Sequence, residues 1–123
     1  MTKQEAIQNF LSKFDLPAYA STSVPDNVVL PYLTHDITTG AWGEGEHSIT
    51  VNLWFYTESE SVPNQKADEI ARAIGLGGVI LPCDGGGIWL KRGSPWCQPL
   101  REETDDKIKR RYINMSAEYL TTY

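Results

Sequence analysis

At 123 residues and 13.8 kDa, with 41% hydrophobic and 22% charged residues, the chain has the size and balance of one globular domain, 1–123, able to bury a core without metal or disulfide. Its net charge of −5 disfavours a dedicated nucleic-acid binder, whose affinity comes mainly from neutralising phosphates. No apolar run approaches the roughly 18 residues that would cross a bilayer, and MTKQEAIQNF lacks the apolar centre of a signal peptide, so a cytoplasmic protein is expected.

Thr2 and Glu5 form a T-x-x-E capping box, followed by Ile7, Phe10, Leu11 and Phe14 on one helical stripe. A helix over 3–14 is expected, ended by Asp15-Leu16-Pro17 because proline disfavours helical geometry in the residue before it. Residues 18–28 carry turn formers without a period and read as a loop. VLPYLTHDIT (29–38) alternates loosely, with Val29, Leu33 and Ile37 on one face and Tyr32, Thr34 and Asp36 on the other. The glycine-rich TGAWGEGE connects it to HSITVNLWFYTE (47–58), where Ile49, Val51, Leu53 and Phe55 alternate with Ser48, Thr50, Asn52 and Trp54. These two strands are expected to pair as an antiparallel hairpin.

Ser59 to Pro63 begins a second helix with an Ala67, Ile70, Ala71, Ile74 stripe and Gly75 as its cap. VILPC (79–83) and GIWLKR (87–92) read as short strands around an Asp84-Gly85-Gly86 turn. REETDD (101–106) is a solvated acidic loop, and KIKRRYINMSAEYLT (107–121) a long strand with apolar odd positions Ile113, Met115, Ala117 and Tyr119. The order α-β-β-α-β-β-β predicts an α+β fold: a mainly antiparallel β-sheet with two amphipathic helices packed on one face.

The motifs for chemistry are weak. Gly85-Gly86-Gly87 lies between strands, whereas a phosphate loop leads into a helix N-terminus, and neither nucleotide-binding glycine pattern occurs. Cys83 and Cys97 match no CxxC or zinc spacing and read as free thiols; Cys83 has no evident base. His35 and His47 with Asp36 or Glu46 offer a metal set only in an unknown register. No enzyme activity, metal or cofactor is expected. Tryptophan and arginine, by contrast, are the residues that anchor interfaces. Trp54 and Trp89 fall in strands; Trp42 and Trp96 fall in loops and divide between interface anchors and covers for a small core. Residues 1–62 carry eight acids and two bases, and residues 63–123 eight acids and nine bases, an imbalance suited to head-to-tail contacts between copies. The acidic loop would then meet the Lys107, Lys109, Arg110, Arg111 cluster of a neighbour.

The helix followed by VPDNVVLPYLTH, VNLWFY, QKADEIARAIG, GIWLKRGSPWCQ and IKRRYINMSAEYL, in that order over nearly the whole chain, resembles a family of small tailed-phage proteins: tail terminators, tail-completion proteins and minor capsid proteins. GIWLKRGSPWCQ and KRRYINMSAEYL carry most of the specificity. The triple glycine, Trp96-Cys97 and His35 depart from the family pattern. The resemblance implies a structural virion protein at the tail–head junction, assembled in host cytoplasm. It would form a ring of copies, usually a hexamer, that caps the finished tail tube, stops its polymerisation and presents the head-joining surface. The implied partners are other copies, the major tail tube protein and a head-completion or neck protein; genomic DNA would pass through without specific binding, and no membrane is involved. Trp42, Trp89, Lys91, Arg92, Trp96, Arg110 and Arg111 are the candidate assembly-interface residues, and loss of Lys91 and Arg92 is expected to impair assembly more than folding. The alternatives are another neck or minor capsid protein, or a small cytoplasmic module binding peptide or nucleic acid through the Trp89–Trp96 hairpin.

Overall fold

A computed structural model describes residues 1–39, 46–101 and 105–122. The elements are α1 (Lys3–Leu11), β1 (Ala18–Ala20), β2 (Tyr32–Thr39), β3 (Glu46–Tyr56), α2 (Ser61–Ile74), β4 (Val79–Cys83), β5 (Gly86–Arg101) and β6 (Ile108–Thr121), with a short 3-10 turn at Ser21–Ser23. They build one six-stranded sheet in the order β1-β2-β3-β6-β5-β4, antiparallel except for the β1–β2 pair. The fold is α+β, with both helices on one face of a curled sheet; α1 touches both edge strands, β1 and β4.

Alternation along the central strands sets that arrangement. Ile49, Val51, Leu53 and Phe55 of β3 and Ile113, Met115 and Ala117 of β6 are all buried, and all belong to one cluster with Ile7, Phe10 and Leu11 of α1 and Ala67, Ile70 and Ile74 of α2. The register aligns these residues across the sheet: Ile37, Ile49 and Met115 in one row, His35, Val51 and Ile113 in the next. Full burial of each such aliphatic side chain contributes about 1.5–3 kcal/mol relative to exposure.

The capping box forms: the Glu5 N–H donates to Thr2 Oγ1 at 3.1 Å and the Thr2 N–H to Glu5 Oε1 at 3.1 Å. α1 stops at Leu11 rather than reaching residue 14, because the Ser12 hydroxyl turns back to the Gln8 carbonyl at 2.7 Å and Asp15 adopts φ 60. Phe14 still joins the core, edge-on to Phe10 at 5.4 Å, and its carbonyl accepts from Lys66 of α2 at 2.8 Å.

Three other expectations change. The segment read as a loop contains β1, whose three residues pair in parallel with Leu33, Thr34 and His35; it is too short to show a period. β2 starts at Tyr32, after Pro31, so Val29 is 77% exposed instead of lying on the buried face. β5 runs to Arg101 rather than ending at Arg92: its register against β6 shifts between Arg92 and Cys97, and Cys97 to Arg101 then resume pairing. The β4–β5 turn is the expected one. Gly85 sits at φ 82, and a Cβ on Gly86 would stand 2.0 Å from the Leu120 carbonyl oxygen, so glycine is required there. The glycine-rich connection with Trp42, and Glu102 and Glu103 of the acidic loop, lie outside the described residues.

Candidate assembly surface

The sheet has a covered face and an open one, and the candidate residues divide between them. Arg111 points under α2 and is 3% exposed. Its Nε donates to Asn64 Oδ1 at 2.9 Å, its Nη1 to the Arg110 carbonyl at 3.2 Å, and its Nη2 bonds the Glu60 carboxylate, which holds the Glu60 carboxyl below the ordinary glutamate value. Arg92 also belongs to the covered side. Its Nε donates to the Gly75 carbonyl at 3.2 Å, placing a cation at the C-terminus of α2, where the helix dipole favours it. Trp89 faces the other way, but its indole N–H reaches the Gly77 carbonyl at 2.8 Å. Trp89 and Arg92 therefore grip the α2–β4 connection from opposite faces. Trp96 is half-buried against the core, its Nε1 without a partner among the described residues.

Two candidates remain on the open face. Lys91 lies 4.4 Å over the Trp89 ring and 3.9 Å from the Glu118 carboxylate. Arg110 stands 4.7 Å over the Trp54 ring, and its Nε donates to Asn52 Oδ1 at 2.8 Å. Tyr32, Trp54, Arg110 and Leu100 share one register row across four strands. Tyr32 stacks on Trp54 at 6.1 Å and 17°, and Tyr19 meets Tyr32 edge-on at 6.2 Å. Beneath this layer Thr34 and Asn52 are buried despite facing away from the helices, and Trp54 Nε1 donates to Thr34 Oγ1 at 3.4 Å. Burial pushes the Tyr32 phenol up, which keeps the ring neutral. Tyr56, 56% exposed, extends the layer along β3.

An aromatic and arginine layer on an uncovered sheet face, with hydrogen bonds holding the side chains from below, has the chemistry of a protein-contact surface. Tyr19, Tyr32 and Trp54 are not among the candidates that the sequence singles out. Tyr32 and Trp54 carry a readable signal, since both occupy the polar phase of their strands; Tyr19 has none, lying in a three-residue strand.

Both histidines are buried in the fold. His35 Nε2–H donates to Gln8 Oε1 at 2.6 Å, while Gln8 Nε2 donates to the Ala18 carbonyl at 2.8 Å, so one glutamine joins α1, β1 and β2. Burial lowers the His35 pKa below the ordinary 6.5, against a smaller opposing pull from Asp36. His47 is buried and stacks on Tyr119 at 4.0 Å, its Nδ1 without a partner among the described residues. Gln8, His35, Ile37 and Tyr119 line a groove beside α1. Among the described residues no three His, Cys, Asp or Glu side chains gather as a metal set, and both cysteines are free. Burial raises the Cys97 thiol above its ordinary value, the opposite of what a nucleophile needs.

The fold has relatives among solved structures. A chain from the virion of a native gene transfer agent (GTA) particle superposes with a TM-score of 0.65 at 17% identity, covering 95% of this chain and 93% of that one. A second chain, whose name states no function, matches with a TM-score of 0.67 at 15% identity over 94% of this chain and 91% of that one. At such identities the likeness is one of fold. No protein-family model matches the chain, and no curated protein matches it by sequence.

Proposed function

We propose that the chain is a structural protein of a tailed-phage or phage-like particle, acting as a tail terminator: a ring of copies, six in the family it resembles, that caps the completed tail tube, stops its polymerisation and offers the surface to which the head joins. The observation that carries this reading is the end-to-end fold similarity to a virion chain, covering 95% of this chain and 93% of that one. The segments from VPDNVVLPYLTH to IKRRYINMSAEYL support it independently, because they follow the order of a tail-completion family. The aromatic and arginine layer supports it physically. A ring needs different patches on the two sides of each subunit, and the open face supplies one patch that this chain's helices do not cover. The partners on this reading are neighbouring copies, the tube protein and a head-completion or neck protein.

Electron microscopy of particles assembled with and without the protein tests the role. Tubes of unregulated length and unjoined heads are expected in its absence, with a cap at the head-proximal end in its presence. Normal tail lengths and normal joining without it would overturn the role. Normal tail lengths with failed joining would reassign it to another neck protein.

A further inference from the structure

We propose that Arg110, laid on Trp54, receives the Asp26 carboxylate of a second copy of this chain, with Val29 of that copy covering the aromatic layer; this contact deepens the ring-assembly reading above and rests on it. Arg110 is held but not used up. Its Nε is bonded to Asn52 and its plane lies on the Trp54 ring, yet its Nη1 and Nη2 have no acceptor among the described residues. Lys66, Lys91, Lys107, Lys109 and Arg111 each have a carboxylate within 4.0 Å. A guanidinium fixed in orientation with its Nη1/Nη2 edge free matches a carboxylate in bidentate geometry. Tyr32, Trp54 and Leu100 surround it with apolar area, the setting in which such a pair excludes water.

The complementary patch lies elsewhere on the same chain. Asp26 is exposed and has no cation partner among the described residues. It lies in the turn closed by the Val28 N–H to Pro25 carbonyl bond, beside Val29 at 77% exposure. Asp15 is equally without a partner, but its neighbours Phe14 and Leu16 are buried, so it offers no apolar cover. The two patches differ, one on central strand β6 and the other in the loop before β2. On the ring reading the contact is made once between each pair of neighbours, head-to-tail, whereas a two-fold pair would make it twice. The excess of acids in residues 1–62 has the matching sign.

Sedimentation of the full chain at low salt tests the contact, using wild type, Arg110→Glu, Asp26→Arg, the double reversal and Asp15→Arg, each checked for a cooperative melt. Each single reversal at the pair is expected to weaken self-association about 100-fold, as for a desolvated charge pair across an interface. The double reversal should restore it, and Asp15→Arg should leave it unchanged. If Arg110→Glu fails to fold, Arg110→Gln, which retains a donor for Asn52, should still weaken association about 10-fold. Folded single variants that associate like wild type, a double reversal that restores nothing, or a wild type that stays monomeric at every concentration would each overturn the contact. So would capture of a single-stranded oligonucleotide on Trp54 with no self-association. Rings that form but ignore the reversals sink the contact and leave the tail role standing; normal tails without the protein sink the role however the reversals behave.

Discussion

Arg110 and Arg111 are adjacent in sequence and opposite in fate. Strand alternation sends Arg111 under α2, where Glu60, Asn64 and a backbone carbonyl take its hydrogens. It sends Arg110 to the open face, where one tryptophan and one asparagine hold it and its outer edge is left unsatisfied among the described residues. The contrast extends to the whole sheet. On the helix side polar groups close on internal partners: Arg92 on Gly75, His35 on Gln8. On the open side the large side chains stack sideways on one another, leaving their outer surface uncovered. A side chain's phase in its strand therefore decides whether the helices cover it, and on the proposed reading the uncovered phase carries the association surface.

The most severe way to break that contrast is to empty the covered side. Leu53→Ala, at a site with 0% exposure, is expected to cost about 2–5 kcal/mol in urea unfolding. Next, Arg111→Ala removes three hydrogen bonds and empties a site that is 3% exposed under α2; a loss of about 2–3 kcal/mol is expected. Arg110→Ala should cost less by the same measurement, about 1 kcal/mol, because it leaves buried Asn52 without its donor on the face open to water, while weakening self-association; equal stability losses at 110 and 111 would erase the distinction. Arg92→Ala should lower the melt by about 0.5–1 kcal/mol through loss of the α2 terminus contact, whereas Lys91→Ala should leave it nearly unchanged. The expected joint effect of Lys91 and Arg92 on assembly thus splits, with Lys91 the residue that leaves folding intact.

The smallest effect is a pH dependence. Burial lowers the His35 pKa in the folded chain, so the unfolded chain takes up that proton first. Stability from this group is complete above the ordinary 6.5 and declines as pH falls below it, until the folded pKa is passed. Urea unfolding at pH 7.5 and 5.5 should show the drop, and His35→Asn should reduce it. Glu60 acts in a separate window: its lowered carboxyl contributes above the ordinary 4.5 and is lost as pH falls through the folded value.

The long periodic elements were readable because burial imposed the period. β3, β6 and α2 follow it, and their buried residues are those the alternation picks out. Elements defined by partners were not readable. β1 exists because Leu33, Thr34 and His35 offer it an edge, and β5 continues past Gly93 because β6 is long enough to pair with it again beyond the shift. The site was half legible. Tyr32 and Trp54 stood out of phase with their apolar neighbours, and the basic cluster drew attention to 110 and 111. The alternation along the last strand sets Arg110 in the polar phase, opposite Ile113 and Met115, but the internal grip of Trp89 and Arg92 on the α2–β4 connection depends on a fold-level approach that no local pattern encodes.

The most direct test of the open face as an assembly surface is hydroxyl-radical footprinting of the protein, free and in assembled particles, read side chain by side chain. Tyr32, Trp54 and Tyr56 should lose reactivity on assembly, while Leu76, 98% exposed beyond the end of α2, should keep it. Unchanged reactivity at Tyr32, Trp54 and Tyr56, with protection confined to the helix side, would contradict the account.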